Sequence, residues 1–336
     1  MKIKSILISF AVGFLALAAS SCDNVIYDGE GDCDVLVCFA YDYNMKYADA
    51  FPNEVSSVAL YIFDQQGNFL TKATDAGEHL AKRGYVLPIK GIKEGVYDVV
   101  AWCGLIPSGS FTVDDPVDKD NLLCRMGLRT KADQYIETDL DPVYYGYLED
   151  VHLRPSTALD DETPRMYLCK NTNNIRVMLQ ALNPDLQLKV DEYDFVITDC
   201  NANLDWTNNI VDAAPIDYIA WNKQQGYVEY NNGAGRLTAA IAEFTTNRLF
   251  KRTEDKMMLN ITDKVTGKMV ISIPVVDYFL MVKGLYNEKM TDQEYLDRQD
   301  EYQITFFLDN ARSWLVSAGI YINGWHVVTQ NSDLDV

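Results

Sequence analysis

Val58-Ala59-Leu60-Tyr61-Ile62-Phe63, followed by Asp64-Gln65-Gln66-Gly67-Asn68, reads as a β-strand and the turn that ends it. Val58, Leu60 and Ile62 alternate with Ala59, Tyr61 and Phe63, and a period of two sends successive side chains to opposite faces of a sheet. Asp, Gly and Asn then supply the backbone freedom that a reversal needs. The pattern recurs outward from this stretch. Val35 to Phe39 is a strand pattern, and Tyr97, Val99 and Ala101 repeat it after Gly95 until Cys103-Gly104 stops the run. Ile175 to Ala181, Tyr193 to Thr198, Tyr302 to Leu308 and Gly319 to Ile322 alternate in the same way. Met257 to Ile261 and Met269 to Ile273 flank Asp263-Lys264-Val265-Thr266-Gly267-Lys268, which reads as a hairpin. Many short strands separated by turn signals predict an all-β chain built of β-sandwiches.

Helical signals are few. Thr291-Asp292-Gln293-Glu294 fits a capping box, so a helix of about ten residues is expected from Thr291, with Tyr295 and Leu296 facing inward. A second short helix is expected within Asp114 to Leu128. The clearest break in the alternation is Pro155 to Arg165, where Asp160-Asp161-Glu162 lies between prolines. Two sandwich domains are therefore expected in tandem, at residues 22–158 and 165–336. With 336 residues and 48% hydrophobic content, the chain has material for two cores.

The N-terminus has its own signature. Lys2 and Lys4 are basic, Ile6 to Ala19 is apolar apart from Ser9, and Ala19-Ser20-Ser21 leads with small residues into Cys22. This order reads as an export signal over residues 1–21, too short and wrongly flanked for a lasting membrane span. Cleavage between Ser21 and Cys22 would leave a cysteine whose thiolate accepts lipid. The competing reading is plain secretion, with cleavage after Ala16-Leu17-Ala18. Ala19 stands where lipoprotein signals usually carry Leu, yet Cys22 ends the apolar run directly before the polar Asp23-Asn24. No later run approaches the roughly 18 apolar residues a transmembrane helix needs. The net charge is -20 and no basic stripe interrupts it, so nucleic acid is not an expected partner. Six cysteines besides Cys22 permit disulfides in an oxidising compartment. Their irregular spacing and apolar settings read more simply as small core residues.

Material for catalysis is poor. His79, His152 and His326 stand in no metal-ligand spacing and beside no nucleophile, and no phosphate-binding or dinucleotide loop is present. No enzyme activity and no cofactor are expected. Asp199, Asn201, Asn203 and Asp205 place oxygens at alternate positions, as at the start of a calcium loop. Leu204 then occupies the position for the loop's glycine and Ile210 that for its bidentate glutamate, so an Asn/Asp-rich hairpin loop explains the run more simply. Tyr41-Asp42-Tyr43-Asn44-Met45-Lys46-Tyr47 and Tyr144-Tyr145-Gly146-Tyr147 offer stacking platforms for sugars. Strand-forming tyrosines are the plainer reading.

Three groups of residues together carry a resemblance. They are Cys22-Asp23-Asn24-Val25-Ile26-Tyr27-Asp28 with Cys33 and Val37-Cys38-Phe39; Tyr41 to Met45 with Asp49-Ala50-Phe51 and Val58 to Asp64; and Asp292 to Leu296, Tyr302 to Phe307, Trp314 and Ile322-Asn323-Gly324-Trp325. In order and spacing they resemble the FimB/Mfa2 family of Bacteroidales fimbrial anchor and accessory lipoproteins, over nearly the whole mature chain. The resemblance implies two transthyretin-like β-sandwich domains and a lipid on Cys22. It also implies an outer-membrane, surface-exposed location and assembly with fimbrillin or other fimbrial subunits by strand exchange. Ile320, Ile322, Trp325 and Val327, in the last strand pattern, are the candidate assembly strand. The alternative function is a surface glycan-binding lipoprotein that uses the tyrosine-rich loops.

Overall fold

Each alternating run becomes a strand in the computed structural model, which describes residues 34–107, 109–128, 134–156, 159–211, 214–230, 235–284 and 287–328. The first half contains β1 (Val35–Ala40), α1 (Phe51–Glu54), β2 (Ser57–Phe63), β3 (Phe69–Ala76), β4 (Val86–Ile89), β5 (Gly95–Cys103) and β6 (Phe111–Val113). It continues with β7 (Leu123–Met126), β8 (Tyr135–Ile136), β9 (Tyr144–Leu153), β10 (Arg165–Tyr167) and β11 (Cys169–Lys170). Next come β12 (Asn173–Ala181), β13 (Tyr193–Asp199), β14 (Asn203–Asp205), β15 (Ile216–Ile219), β16 (Asn222–Tyr230) and β17 (Gly235–Thr246). The chain then forms β18 (Met258–Asp263), β19 (Lys268–Pro274), α2 (Val275–Leu280), α3 (Asp292–Arg298), β20 (Glu301–Leu308), β21 (Ile320–Ile322) and β22 (Trp325–Val327).

In the first sandwich a three-stranded sheet, β10-β1-β4, faces a five-stranded sheet, β11-β9-β5-β2-β3. Val37 and Phe39 from the smaller sheet meet Leu60, Ile62, Val99 and Ala101 from the larger. The opposite face of the larger sheet is buried as well. Ala59, Tyr61, Val100 and Trp102 lie there in one cluster with Phe111, Leu122, Cys124 and Met126. This explains why both alternating sets of β2 are apolar and why none of its residues is exposed. In the second sandwich β16-β17-β12-β20-β21-β22 packs on β19-β18-β13-β15-β8. Ile175, Val177 and Leu179 meet Phe195, Ile197 and Leu259 between them.

The break at Pro155 to Arg165 is a connection within the first sandwich. β10 returns parallel to β1, and β11 pairs with β9. The stretch joins β9 of the five-stranded sheet to β10 of the three-stranded one, and a loop that changes sheet has no strand periodicity. The chain passes from one sandwich to the other between Lys170 and Asn173. Even there the division is crossed, since β8 pairs with β15 and β7 with β14. From Asp34 onward the chain forms a single compact unit.

Asp114 to Leu128 is not helical over its length. It holds one 3-10 turn at Lys119–Asn121, followed by β7. Val113 pairs with Cys124, so tertiary pairing overrides the local signal. At α3 the cap is as expected: Thr291 Oγ1 accepts from the Glu294 N–H at 3.0 Å, and Tyr295 and Leu296 are buried. The helix is shorter than expected, and the Glu294 carboxylate accepts from Arg298 Nε at 3.0 Å. Cys38, Cys103, Cys124, Cys169 and Cys200 are free thiols, all but Cys169 buried. Burial pushes the Cys103 thiol up to about 12, which keeps it protonated and inert. Cys33 lies outside the described residues.

Two consequences are measurable. Gly104 has φ +89°, and a Cβ there would stand 2.1 Å from the Pro142 carbonyl oxygen. Gly104→Ala is expected to cost about 2–4 kcal/mol from left-handed strain plus overpacking, measured by urea unfolding. Asp263 is the second case. Burial would raise its pKa, but the hydrogen bonds from Arg312 and from the Val265 N–H outweigh it and hold the carboxyl low. Arg312 Nε donates to Asp263 at 2.7 Å and its NH1 donates to Glu192 at 2.9 Å, tying the β13–β18 pair to the loop after β20. A depressed folded pKa means the stabilisation is present above the unfolded value of about 3.9 and is lost as pH falls through the folded value. Melting temperatures should therefore drop steeply below about pH 4, and Asp263→Asn should flatten that slope.

Candidate functional site

The last two strands form a tight hairpin at one edge of the six-stranded sheet. Asn323 (φ 47°) and Gly324 (φ 83°) take the two positive-φ positions of a type I′ turn, the two-residue turn that suits twisted strands. Ile322 pairs with Trp325, Tyr321 with His326 and Ile320 with Val327. The turn is clasped to β20: the Gln303 N–H donates to Asn323 Oδ1 at 2.7 Å, and the Asn323 N–H donates to the Gln303 carbonyl at 2.8 Å. Burial raises the Tyr295 phenol beneath the turn, and its hydrogen bond with Asn323 works the other way. His326 stacks on Tyr321 at 4.8 Å, with Nε2 3.0 Å from the Ala318 carbonyl.

The four candidate assembly residues fall into two pairs. Ile320 and Ile322 are buried in the protein's own core, because β21 is an interior strand between β20 and β22. Trp325 and Val327 lie on β22, the edge strand, and Trp325 is 64% exposed. In a two-residue hairpin the pair flanking the turn exchanges hydrogen bonds and the next pair does not. The His326 N–H and C=O therefore point away from β21, toward the unpaired side. An edge strand that leaves backbone donors and acceptors open beside an exposed indole can take another strand.

Cys22 and Ser21 lie outside the described residues. The calcium-like run is described in full, and each member has protein partners. Asp199 is buried and ion-paired with Arg252. Asn201 Oδ1 accepts from the Tyr218 hydroxyl at 2.6 Å, while its Nδ2 donates to the Arg248 carbonyl at 3.0 Å. Asn203 pairs with Arg125 in the β14–β7 ladder. Asp205 Oδ1 accepts from the Thr207 and Asn209 N–H groups at 2.9 and 3.0 Å, the turn chemistry of an Asp-led loop. Among the described residues, no group of three His, Cys, Asp or Glu side chains is placed to hold a metal.

The tyrosine-rich loops are packing elements. Tyr41 and Tyr144 are buried and meet edge to face at 5.3 Å. Tyr43 carries the Arg298 guanidinium over its ring at 4.0 Å. Tyr145 packs on Trp102, and Tyr147 packs on Trp206. Tyr47 is exposed. The histidines are scattered: His79 lies 2.8 Å from Asp75 and His152 3.4 Å from Glu94, both at the surface.

The sequence reading missed a buried polar junction where the two sandwiches meet. Arg248 donates from Nε and NH2 to both oxygens of Asp297 at 2.8 and 2.7 Å, and from NH1 to the Asn208 carbonyl. Asn171 and Asn208 exchange amide hydrogen bonds at 2.7 and 3.0 Å. Asn247 Nδ2 donates to the Asn201 carbonyl at 2.7 Å. The only signal in the sequence was an unusual density of asparagine in otherwise apolar strands.

Residues 30–331 match the family described as Fimbrillin-A associated anchor proteins Mfa1 and Mfa2. The chain belongs to that family. As one of these anchor-family proteins it sits in a family of fimbrial accessory and adhesin proteins, which implies association with fimbrial subunits at the cell surface. The family is not a known enzyme family. The anchor-family chain is similar to a candidate adhesin from Bacteroides thetaiotaomicron, 29% identical with a TM-score of 0.77, the match covering 89% of this chain and 99% of that one. It is also similar to a candidate polysaccharide-binding protein from the same organism, 28% identical with a TM-score of 0.74 and the same coverage. The fimbrial anchor protein Mfa2 from Porphyromonas gingivalis shares the fold at 17% identity and a TM-score of 0.63, over 88% of this chain and 99% of that one. No curated protein matches the chain.

Proposed function

We propose that the chain is a lipid-anchored anchoring or accessory subunit that tethers or caps a fimbria at the outer membrane. Cys22 carries the lipid, and fimbrillin or another fimbrial subunit joins through strand exchange. The observation that supports this reading is a family match running through the C-terminal hairpin, whose final strand is unpaired on one side among the described residues. Since Ile320 and Ile322 are committed to the protein's own core, the hairpin acts in this proposal as an acceptor edge and not as a donated strand. Trp325 would then supply an aromatic anchor beside the incoming backbone. Two or more acyl chains on the N-terminal cysteine, at about 0.8 kcal/mol per buried methylene, suffice for stable anchoring.

A Cys22→Ala strain tests the tether: filaments should be shed into the medium, and filaments that stayed on the cells in normal amount would overturn it. A second variant tests the edge. His326→Pro removes the outward N–H while sparing the two hydrogen-bonded pairs of the hairpin. Recovery of fimbrial subunits with the tagged protein from envelopes should fall about tenfold, a loss of about 1.4 kcal/mol. Unchanged recovery would remove β22 from the assembly mechanism.

A further inference from the structure

The outer face of the six-stranded sheet, opposite the core, is recessed. One depression of about 680 Å³ is lined by Asn174, Arg176, Trp221, Glu243, Glu301 and Gln303, among others. A second, of about 420 Å³, is lined by Gln180, Thr305, Phe307 and Tyr321, and again by Gln303. The two depressions meet at Gln303. Together they make one trough across β17, β12 and β20. Register explains the composition: Glu243 pairs with Arg176, and Arg176 with Gln303, so a row of planar polar groups crosses the sheet.

We propose that this trough binds a neutral oligosaccharide. Trp221, at the start of β16, and Tyr321, on β21, bracket it and are 38% and 41% exposed. From β16 to β21 is four interstrand steps, about 19 Å at about 4.8 Å each. That span accommodates a chain of several sugar rings stacked on Trp221 at one end, while Tyr321, whose ring is stacked on His326, offers its edge and hydroxyl at the other. Between the two rings, amides and carboxylates offer the paired donors and acceptors that vicinal hydroxyls require. The charge argues against acidic occupants. Asp139, Glu243 and Glu301 outnumber Arg176, and Arg176 is held at 3.0 Å by Glu243. A uronate or sulfated chain would meet net negative charge with no uncommitted cation. The Tyr43–Lys46 loop lies near one end of the trough, where the Met45 N–H donates to the Arg298 carbonyl at 3.1 Å, but none of its residues lines it, and the proposal does not rest on the fimbrial anchoring reading.

Calorimetric titration of the full chain in detergent with maltohexaose, cellohexaose, mannohexaose, xylohexaose and chitohexaose tests it, with hexagalacturonate as the acidic comparator. At least one neutral hexamer should bind with millimolar affinity or tighter. Trp221→Ala should weaken that binding about tenfold, and Gln303→Ala, at an exposed position, should also weaken it. Failure of all five neutral hexamers overturns the proposal. So does binding that both variants leave unchanged, or tighter binding of the acidic hexamer.

Discussion

Asp297→Ala is expected to lower the unfolding free energy by about 3–5 kcal/mol, because it leaves the Arg248 guanidinium charged, buried and unpaired. The Asp297 carboxylate receives both Arg248 bonds and one from Gln293 Nε2 at 3.0 Å. The two side chains retain only 13% and 9% of their exposure. Burial opposes the Arg248 charge, but Asp297 more than compensates and raises its pKa. The Cys169 thiol points at the Asp297 carbonyl at 3.5 Å, so the same residue also touches β11 of the first sandwich. Removing both charges, as in Arg248→Met with Asp297→Leu, should cost far less than Asp297→Ala alone, since no buried charge is stranded. Guanidinium unfolding of the single and double variants checks this. Equal losses in both would mean that packing, and not the stranded charge, dominates.

Trp102→Ala is expected to cost about 3–5 kcal/mol, the usual range for emptying a large aromatic site in a core. Trp102 is fully buried on β5 and meets Tyr145 at 5.1 Å. It faces away from the first sandwich's own core and belongs to the cluster that continues into the second. Its loss should therefore shift one cooperative transition for the whole chain. If the sandwiches unfold independently, chemical denaturation would show two transitions, with only one displaced by the mutation.

Local regularities were legible in the sequence. The alternation in Val58 to Phe63, the Asp263–Lys268 hairpin and the Thr291 cap depend on neighbours within a few residues, and each took the expected form. The short helix expected within Asp114 to Leu128 is reduced to one 3-10 turn at Lys119–Asn121, because β7 follows at once and pairs with β6 and β14. The break in alternation at Pro155 to Arg165 was visible, but not its meaning. A loop that carries the chain from β9 in one sheet to β10 in the other has the same lack of period as a linker between domains.

The candidate site divides in the same way. Ile320, Ile322, Trp325 and Val327 form one strand pattern in the sequence, and nothing local separates the first pair from the second. The separation comes from neighbours: β20 covers one side of β21, while β22 has no strand beyond it among the described residues. The calcium-like oxygens show the same limit, since Arg252 and Tyr218 reach those of Asp199 and Asn201 from other segments. By itself the sequence determined an all-β chain with two cores and the residues through which it resembles the anchor family. Period, turn chemistry and hydropathy act over short stretches of chain and suffice for these. The shared junction, the open edge and the trough on the outer sheet face were decided by tertiary structure alone. Each depends on which strand has a neighbour and which face has a cover, and pairing across more than a hundred residues leaves no local trace.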